Sequence, residues 1–271
     1  MEKMTLPQIG LGTMLGNSID AQKAFTEAIN IGFRFIDTAQ IYFNEKTVGK
    51  AITAANIPRE EIVLATKLWI TNFRPRKLLK SVNKSLERLN LEYIDILYLH
   101  WPWRFNKINE SLKTMDKLIE EGKIKHIAVS NFTEKQVEEA QTYTKNHIVA
   151  NQVEMHPWFP QKRMLEFLTK NKMHLVGYFP LMHGRFNQVP ELLQIAKKHN
   201  TNAAQVSLAW IISKNAVPIP KSANVKHLQD NFDSLKLRLD SEDIKLIDSI
   251  TTRKRFANIT LLQPEWKKEK E

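Results

Sequence analysis

The sequence predicts an α/β fold, a single-domain (β/α)8 TIM barrel, on the basis of three observations. Short apolar runs alternate with longer amphipathic segments along the whole chain. Several of the short runs are continuously rich in Val, Ile and Leu, which is typical of parallel strands covered on both faces. Eight such runs in 271 residues leave roughly 34 residues for each strand–helix unit. Eight units of that size can close into a barrel of about 250 residues.

The candidate strands are short, and turn or helix signals separate them. They cover residues 8–13, 34–39, 62–67, 95–100, 126–131, 149–154, 174–179 and 216–221. A doubly wound open sheet would show the same alternation and is the alternative architecture. No Pro-, Gly- or Ser-rich linker divides the chain, so we expect one domain over residues 1–271 with a short C-terminal tail from about residue 251.

The segments between the strands show the 3.6-residue periodicity of amphipathic helices. Gly32 and Gly122 directly follow two of them, where a C-terminal glycine is favoured. The predicted helices cover 18–31, 74–89, 110–121, 133–145, 161–170, 190–199, 202–214 and 241–249.

Composition argues against several classes of function. The chain has no Cys, so disulfide and thiolate chemistry are ruled out. It has no apolar run of membrane-spanning length and no secretion signal at its N-terminus, so we expect a cytoplasmic protein without a membrane partner. The net charge of +11 would suit an acidic partner. However, Lys is scattered along the helical segments together with Glu, so we expect no nucleic-acid partner.

Charged and polar side chains end three consecutive predicted strands. Asp37, Lys67 and His100 each follow an apolar run, and the strand ends of a parallel barrel meet at one face. Tyr42 lies in the loop over the same face. A buried Asp37 needs a counter-ion, which Lys67 would supply. The same ammonium would lower the pKa of the Tyr42 phenol from about 10 and make it a proton donor near neutral pH.

These groups together suit the reduction of a carbonyl. Hydride addition produces an alkoxide that must be protonated, and Tyr42 would supply that proton. A neutral His100 would donate a hydrogen bond to the carbonyl oxygen. A single Asp–Lys pair or a single His at a strand end is more often structural. Four such groups at one face favour catalysis.

Seven short motifs resemble, in order, those of the aldo-keto reductases. They are GFRFIDTAQIYFNEKTVG at 32–49, ATKLW at 65–69, LYLHWP at 97–102, VSNF at 129–132, NQVEMHP at 151–157, YFPL at 178–181 and IPKS at 219–222. The similarity spans about residues 8–250. It implies a nicotinamide-dependent oxidoreductase that reduces aldehydes or ketones, with keto-sugars among the candidates. It also implies NADPH as cofactor with NADH as the second choice, no metal, and a monomer or weak dimer.

The resemblance assigns roles to the matching residues. Asp37, Tyr42, Lys67 and His100 would form the catalytic tetrad. Ser130 and Asn131, with Gln152, would hold the nicotinamide carboxamide, although the first two could instead cap the helix that follows. The implied cofactor site comprises Gly12, Thr13, Asp37, Ser130, Asn131, Gln152, Tyr178, Leu181, Lys221, Ser222, His227 and Asn231. The implied substrate pocket comprises Met14, Tyr42, Trp69, His100 and Trp101.

Three positions depart from the family pattern. His227 stands where the family usually has Arg, which leaves the choice between NADP and NAD open. Phe179 replaces a Ser and is expected to weaken a pyrophosphate contact. Met14 replaces an aromatic residue, so Trp69 and Trp101 become the expected pocket walls.

Four further classes of protein share some of these features. A Rossmann dehydrogenase needs Gly-x-Gly-x-x-Gly, and the stretch GLGTMLG at 10–16 misses that pattern by one residue. A metal-dependent hydrolase needs clustered His and carboxylate ligands, whereas the 8 His are dispersed. The tryptophans 69, 101, 103 and 158 could form a binding module for sugars or single-stranded nucleic acid. A non-catalytic barrel that binds NADP(H), as a redox sensor or regulatory subunit, would keep the same motifs.

Overall fold

Eight parallel strands form the centre of the molecule. The computed structural model describes residues 4–102, 108–257, 259 and 262. The strands lie in chain order, and each pairs in parallel with the next. They are β1 (Leu11–Gly12), β2 (Phe35–Asp37), β3 (Val63–Leu68), β4 (Ile94–Leu99), β5 (Ile124–Ser130), β6 (Ile148–Glu154), β7 (His174–Tyr178) and β8 (Val217–Pro218).

Hydrogen bonds between the first and last strands close the sheet into a barrel. The backbone N–H groups of Gly10 and Gly12 donate to the carbonyls of Pro218 and Pro220, both at 2.9 Å. The predicted (β/α)8 barrel is therefore confirmed. The strand β8 is much shorter than the predicted run at 216–221, because proline has no N–H to donate to a strand ladder.

Helices cover the outside of the barrel. In the described part of the chain they are α1 (Ile19–Ile31), α2 (Glu45–Ala55), α3 (Pro75–Leu89), α4 (Ile108–Glu120), α5 (Glu134–Gln141), α6 (Lys162–Lys170), α7 (Pro190–Lys198), α8 (Ala203–Ser213), α9 (Val225–Asp233) and α10 (Ser241–Asp248). Most agree with the predicted helices to within a few residues, although α5 ends at Gln141 rather than near residue 145. The helices α2 and α9 were not predicted.

A glycine explains why the sequence signal of α2 is weak. Gly49 lies in the middle of this helix, where glycine disfavours the helix by about 1 kcal/mol relative to alanine. A Cβ atom at Gly49 would stand 2.1 Å from the carbonyl oxygen of Leu89, at the end of α3. The glycine therefore permits close packing of two helices, and that benefit is invisible in the local sequence.

Apolar side chains fill two cores, one on each side of the sheet. Phe35, Ile96 and Val176 belong to the core inside the barrel. A larger cluster, with Phe25, Leu97 and many others, lies between the strands and the helices. Both faces of the strands are thus buried, as the continuous apolar runs predict. No described helix is long and apolar enough to cross a membrane.

Candidate active site

A large cleft opens at the carboxyl ends of the strands, with a volume of about 1310 Å³. Every residue predicted for the catalytic, cofactor and substrate sites lines this cleft except Lys67. The Lys67 side chain is fully buried and pairs with Asp37, which does line the cleft. The strand ends therefore bring together side chains from all parts of the barrel.

Asp37 and Lys67 form a buried ion pair at the ends of β2 and β3. The Lys67 ammonium donates to Asp37 Oδ1 and, at 2.9 Å, to the carbonyl of Thr38. Gln152 Nε2 donates to Asp37 Oδ2 at 2.8 Å. Burial raises the pKa of Asp37, and Lys67 only partly opposes this. Burial alone would lower the pKa of Lys67, but the interactions with Asp37 and Tyr42 together outweigh it, so the pKa is raised and the ammonium stays charged.

Tyr42 ends a short 3-10 turn, Gln40–Tyr42, just after β2. Lys67 Nζ lies 5.2 Å from the centre of the Tyr42 ring. Burial raises the pKa of the phenol, and the opposing effect of the ammonium is smaller, so the pKa lies above its ordinary value of 10. The predicted lowering is therefore wrong in direction, because it considered the nearby charge and not the loss of water. Tyr42 is protonated at neutral pH.

His100 follows β4 and faces the same end of the cleft. Its ring lies edge-on to the rings of Tyr42 and Trp69, with centroid distances of 6.1 and 5.4 Å. Burial, and then the positive charge of Lys67, lowers the pKa of His100 well below 6.5. The ring is therefore neutral at pH 7, as predicted. Its Nδ1 has no hydrogen-bond partner among the described residues.

Amide and hydroxyl groups from three strands form a network beside this group. Asn131 Nδ2 donates to the His100 carbonyl and to Ser130 Oγ, both at 3.1 Å. The Tyr178 hydroxyl donates to Asn131 Oδ1 at 2.8 Å. Ser130 Oγ donates to the Gln152 carbonyl at 2.9 Å. The network fixes the side chains that the sequence assigned to one end of a cofactor.

The same segment shows which residue caps the helix after β5. Thr133 is the N-cap of α5, in a reciprocal capping box with Gln136. Asn131 instead adopts a left-handed backbone conformation, with φ of 64°. Neither Ser130 nor Asn131 is the N-cap, so neither is committed to capping.

Basic and polar residues from the segment after β8 and from α9 also line the cleft. Lys221 Nζ donates to the Met14 carbonyl at 2.9 Å, and burial lowers the pKa of this ammonium. Ser222 and His227 lie on the same stretch of cleft wall, and Asn231 is buried beneath it. No ion pair of Lys221 with a carboxylate occurs in the described residues.

The sequence analysis missed part of the cleft wall. Phe256 and Ala257, from the tail after α10, line the cleft, as do His183 and neighbouring residues of the segment after β7. No motif or periodicity marks these positions, and only their spatial neighbours reveal them. The predicted Trp103 lies outside the described residues.

Comparisons with known proteins identify the family. The model of the Aldo/keto reductase family matches residues 8–252. The chain belongs to the aldo-keto reductase family. It is 33% identical over 266 residues to methylglyoxal reductase DkgB of Escherichia coli O157:H7, covering 97% of this chain and 100% of that protein. It is 36% identical to the glyoxal reductase of Bacillus subtilis (strain 168), with 92% of this chain and 91% of that protein covered.

Solved structures support the same conclusion. An aldo-keto reductase from a Medee basin deep-sea metagenome library superposes with a TM-score of 0.90 at 38% identity, covering 93% of this chain and 94% of that one. A putative 2,5-diketo-D-gluconic acid reductase B superposes with a TM-score of 0.92 at 33% identity, covering 97% and 94%. This aldo-keto reductase is an NAD(P)H-dependent oxidoreductase that reduces carbonyl groups. The relatives named here are reductases and give no support to a non-catalytic barrel.

A Rossmann dehydrogenase, a metal-dependent hydrolase and a tryptophan-lined binding module do not fit this structure. The stretch at 10–16 contains β1 and the loop after it, in a closed barrel rather than an open Rossmann sheet. The described residues contain no cluster of three or more groups that could hold a metal ion. Trp69 and Trp101 line the cleft, whereas Trp158 packs against Phe256. The tryptophans therefore do not form one exposed binding surface in the described part of the chain.

The cleft fits the nicotinamide cofactor of the family. The ends of β5, β6 and β7 offer amide groups and the ring of Tyr178, which match a flat ring with a carboxamide. The segment after β8 offers the Lys221 ammonium, which matches a phosphate. Asp37 and His100 lie beside these amide groups. A carbonyl bound next to the nicotinamide would therefore meet the phenol of Tyr42, whose ring lies 6.1 Å from that of His100.

Proposed function

We propose that this aldo-keto reductase reduces small aldehydes and ketones with NADPH, and that Tyr42 is the proton donor. One observation carries this proposal. A protonated phenol, a neutral imidazole and a buried ammonium meet beside the cleft, with Tyr42 5.2 Å from the Lys67 ammonium and 6.1 Å from the His100 ring, measured from ring centres. Two of the relatives are named for methylglyoxal and glyoxal, so small dicarbonyl compounds are the first substrates to test.

Each member of the tetrad has a separate task in this proposal. Tyr42 gives its proton to the carbonyl oxygen as that oxygen becomes an alkoxide. Lys67 stabilises the phenolate that remains, and Asp37 holds the ammonium in place. The neutral ring of His100 donates a hydrogen bond to the carbonyl oxygen and orients it. The bound nicotinamide supplies the hydride.

The proposed cofactor contacts come from several strand ends and from the segment after β8. Ser130, Asn131 and Gln152 would hold the carboxamide, and Tyr178 would stack on the nicotinamide ring. The remaining proposed contacts are Gly12, Thr13, Leu181, Lys221, Ser222, His227 and Asn231. The amide groups lie beside the tetrad, since Gln152 donates to Asp37 and Asn131 donates to the His100 carbonyl. These residues would therefore bring the nicotinamide end of the cofactor to the tetrad.

NADPH is the proposed cofactor because of the positive charge of Lys221. Burial makes the Lys221 ammonium less stable than in water. An anionic 2′-phosphate would compensate for that loss through a charge-assisted hydrogen bond. His227 also lines the cleft, and its imidazole would offer a ring N–H donor to the phosphate. Both features favour the phosphorylated cofactor over NADH.

The substrate pocket takes its shape from apolar and aromatic side chains. Met14, Trp69 and Trp101 line the cleft together with Tyr42 and His100. Such walls exclude water from the reacting carbonyl and suit compact substrates with little charge.

A panel of carbonyl compounds tests the proposal directly. The purified protein is given NADPH or NADH with methylglyoxal, glyoxal, simple aldehydes, ketones and keto-sugars, and the loss of reduced cofactor is followed by absorbance. We expect turnover with NADPH on small dicarbonyls and a higher kcat/KM than with NADH. Tight NADPH binding without turnover of any carbonyl would contradict the proposed function.

A further inference from the structure

We propose that Glu154 is a positioning residue that anchors the C-terminal tail, so that Phe256 completes the wall of the cleft in which the carbonyl is proposed to bind. The motif at 151–157 contributes Gln152 to the proposed cofactor site, but Glu154 and His156 have no part in the proposed chemistry. This inference rests on the proposed function, because the wall matters only if a carbonyl binds in the cleft.

Glu154 ends β6, and its side chain is fully buried. The carboxylate accepts hydrogen bonds from the backbone N–H groups of Phe256 and Ala257, at 2.7 and 2.8 Å. His156 Nε2 lies 2.9 Å from its Oε1. A buried carboxylate is very unfavourable unless such donors surround it. Two of these three groups come from a segment about a hundred residues further along the chain.

The tail that Glu154 holds has no regular structure of its own. Residues 251–257 form neither helix nor strand. Lys254 also contacts the barrel, because its N–H donates to the Trp158 carbonyl at 3.0 Å and its ammonium lies 5.8 Å from the centre of the Trp158 ring. The Arg255 guanidinium lies 5.8 Å from the centre of the Phe159 ring. A segment outside helices and strands takes its position from the groups that hold it. We therefore expect the tail to depend strongly on the Glu154 carboxylate.

The ring of Phe256 connects this tail to the segment after β7. Its centre lies 5.6 Å from the His183 ring and 5.2 Å from the Arg185 guanidinium, both in that segment. It also lies 5.2 Å from the ring of His156, on the β6 side. Phe256 and His183 both line the cleft. One aromatic ring thus joins two distant segments into a continuous wall.

Release of the tail should change substrate binding more than the chemical step. The tetrad lies on β2, β3 and β4 and the turns after them, whereas Glu154 acts from β6. A loosened wall exposes the bound carbonyl to water and removes apolar contact from it. KM for the carbonyl should therefore rise while kcat stays nearly constant.

The Glu154→Gln variant tests this with little change in size. Its amide keeps one acceptor oxygen but places an N–H group against backbone donors. We expect KM for the carbonyl to rise about tenfold and kcat to stay within about twofold, because hydrogen bonds to a buried charge are lost. The matched control is Glu134→Gln, where the carboxylate pairs with Arg163 at the surface at 2.9 Å. The control should leave KM unchanged.

Trypsin supplies a readout that does not depend on activity. The tail carries three consecutive cleavage sites, at Arg253, Lys254 and Arg255. In Glu154→Gln, cleavage at these sites should be about tenfold faster, since a released segment is open to protease. Cleavage elsewhere should not change. A double-mutant cycle with Phe256→Ala completes the test, and the effect of Glu154→Gln on KM should largely disappear in that background.

The possible results separate the two proposals. Unchanged KM and unchanged tail cleavage in Glu154→Gln would overturn the anchoring role. Faster cleavage throughout the chain would also overturn it, because it would show a general loss of stability. If the wild-type enzyme turned over no carbonyl, the proposed function would fail, while the trypsin assay would still decide whether Glu154 holds the tail.

Discussion

Two buried carboxylates at opposite ends of the barrel pair with cations in different ways. Asp95 lies near the start of β4, and Arg59 donates to it at 2.6 Å, with Lys125 at 3.2 Å. Asp37 lies at the end of β2 and pairs with Lys67. Asp95 also accepts a backbone hydrogen bond at 3.0 Å, so several donors surround the carboxylate at the amino end.

The two sites differ in the tyrosine that also contacts the cation of the ion pair. At the amino end, the cations of Arg59 and Lys125 lie 4.3 and 3.8 Å from the centre of the Tyr93 ring, and none of these residues lines the cleft. At the carboxyl end, Lys67 is shared with Tyr42, which does line the cleft. We infer that an ion pair at a strand end can serve catalysis where, like Asp37–Lys67, it lies at the cleft and shares its cation with a residue that lines the cleft.

The Lys67→Met variant tests this comparison most severely. It removes the cation beside the proposed proton donor and leaves Asp37 buried without a counter-ion. We expect kcat/KM to fall about a thousandfold and the free energy of unfolding to fall by about 3–5 kcal/mol. Steady-state kinetics and urea unfolding measure the two effects. The double variant with Asp37→Asn should recover much of the stability but none of the activity, and recovery of activity would contradict the assignment.

The matched change at the amino end is Asp95→Asn. It weakens two ion pairs, so the free energy of unfolding should fall by about 1–3 kcal/mol. The cleft does not include this residue, so kcat/KM should stay within about twofold of the wild type. A folded Asp95→Asn protein with a large loss of turnover would show that the two ends are not separate.

Two histidines sharpen the comparison through pH. Burial, reinforced by the charge of Lys67, lowers the pKa of His100 well below 6.5. Burial also lowers the pKa of His126, but the Asp95 carboxylate opposes part of this effect. The unfolded chain binds these protons near pH 6.5 and the folded chain does not. The free energy of unfolding therefore has its full value, as far as these two rings are concerned, above pH 6.5, and it decreases as the pH falls below 6.5.

For His100 this loss should approach about 1.4 kcal/mol per pH unit. Urea unfolding from pH 7 to pH 5 measures the slope. We expect His100→Gln to remove more of the slope than His126→Gln does. Equal effects of the two substitutions would mean that both rings are equally disfavoured as cations.

The smallest expected effect concerns His227, in the part of the cleft lining where the cofactor phosphate is proposed to bind. His227→Arg adds a permanent charge and a planar pair of donors near the proposed phosphate site. We expect the ratio of NADPH to NADH affinity to rise about fivefold, measured as dissociation constants by fluorescence titration. An unchanged ratio would remove His227 from the cofactor site.

The sequence predicted the repeated strand–helix units and the polar residues at the ends of the strands. The barrel and the meeting of Asp37 with Lys67 follow from apolar runs that stop at polar residues. It did not predict α2, because Gly49 serves a contact with Leu89 that is distant in the sequence. It did not predict Phe256 in the cleft wall for the same reason. The pKa of Tyr42 was predicted in the wrong direction, because the extent of burial is a property of the folded molecule.

The central claim is that the Tyr42 phenol protonates the reduced carbonyl. The most direct test is the single-turnover rate of Tyr42→Phe with prebound NADPH and methylglyoxal, together with the affinity for NADPH. The account predicts a rate about a thousandfold lower than that of the wild type with cofactor affinity unchanged. A rate within about threefold of the wild type would contradict it.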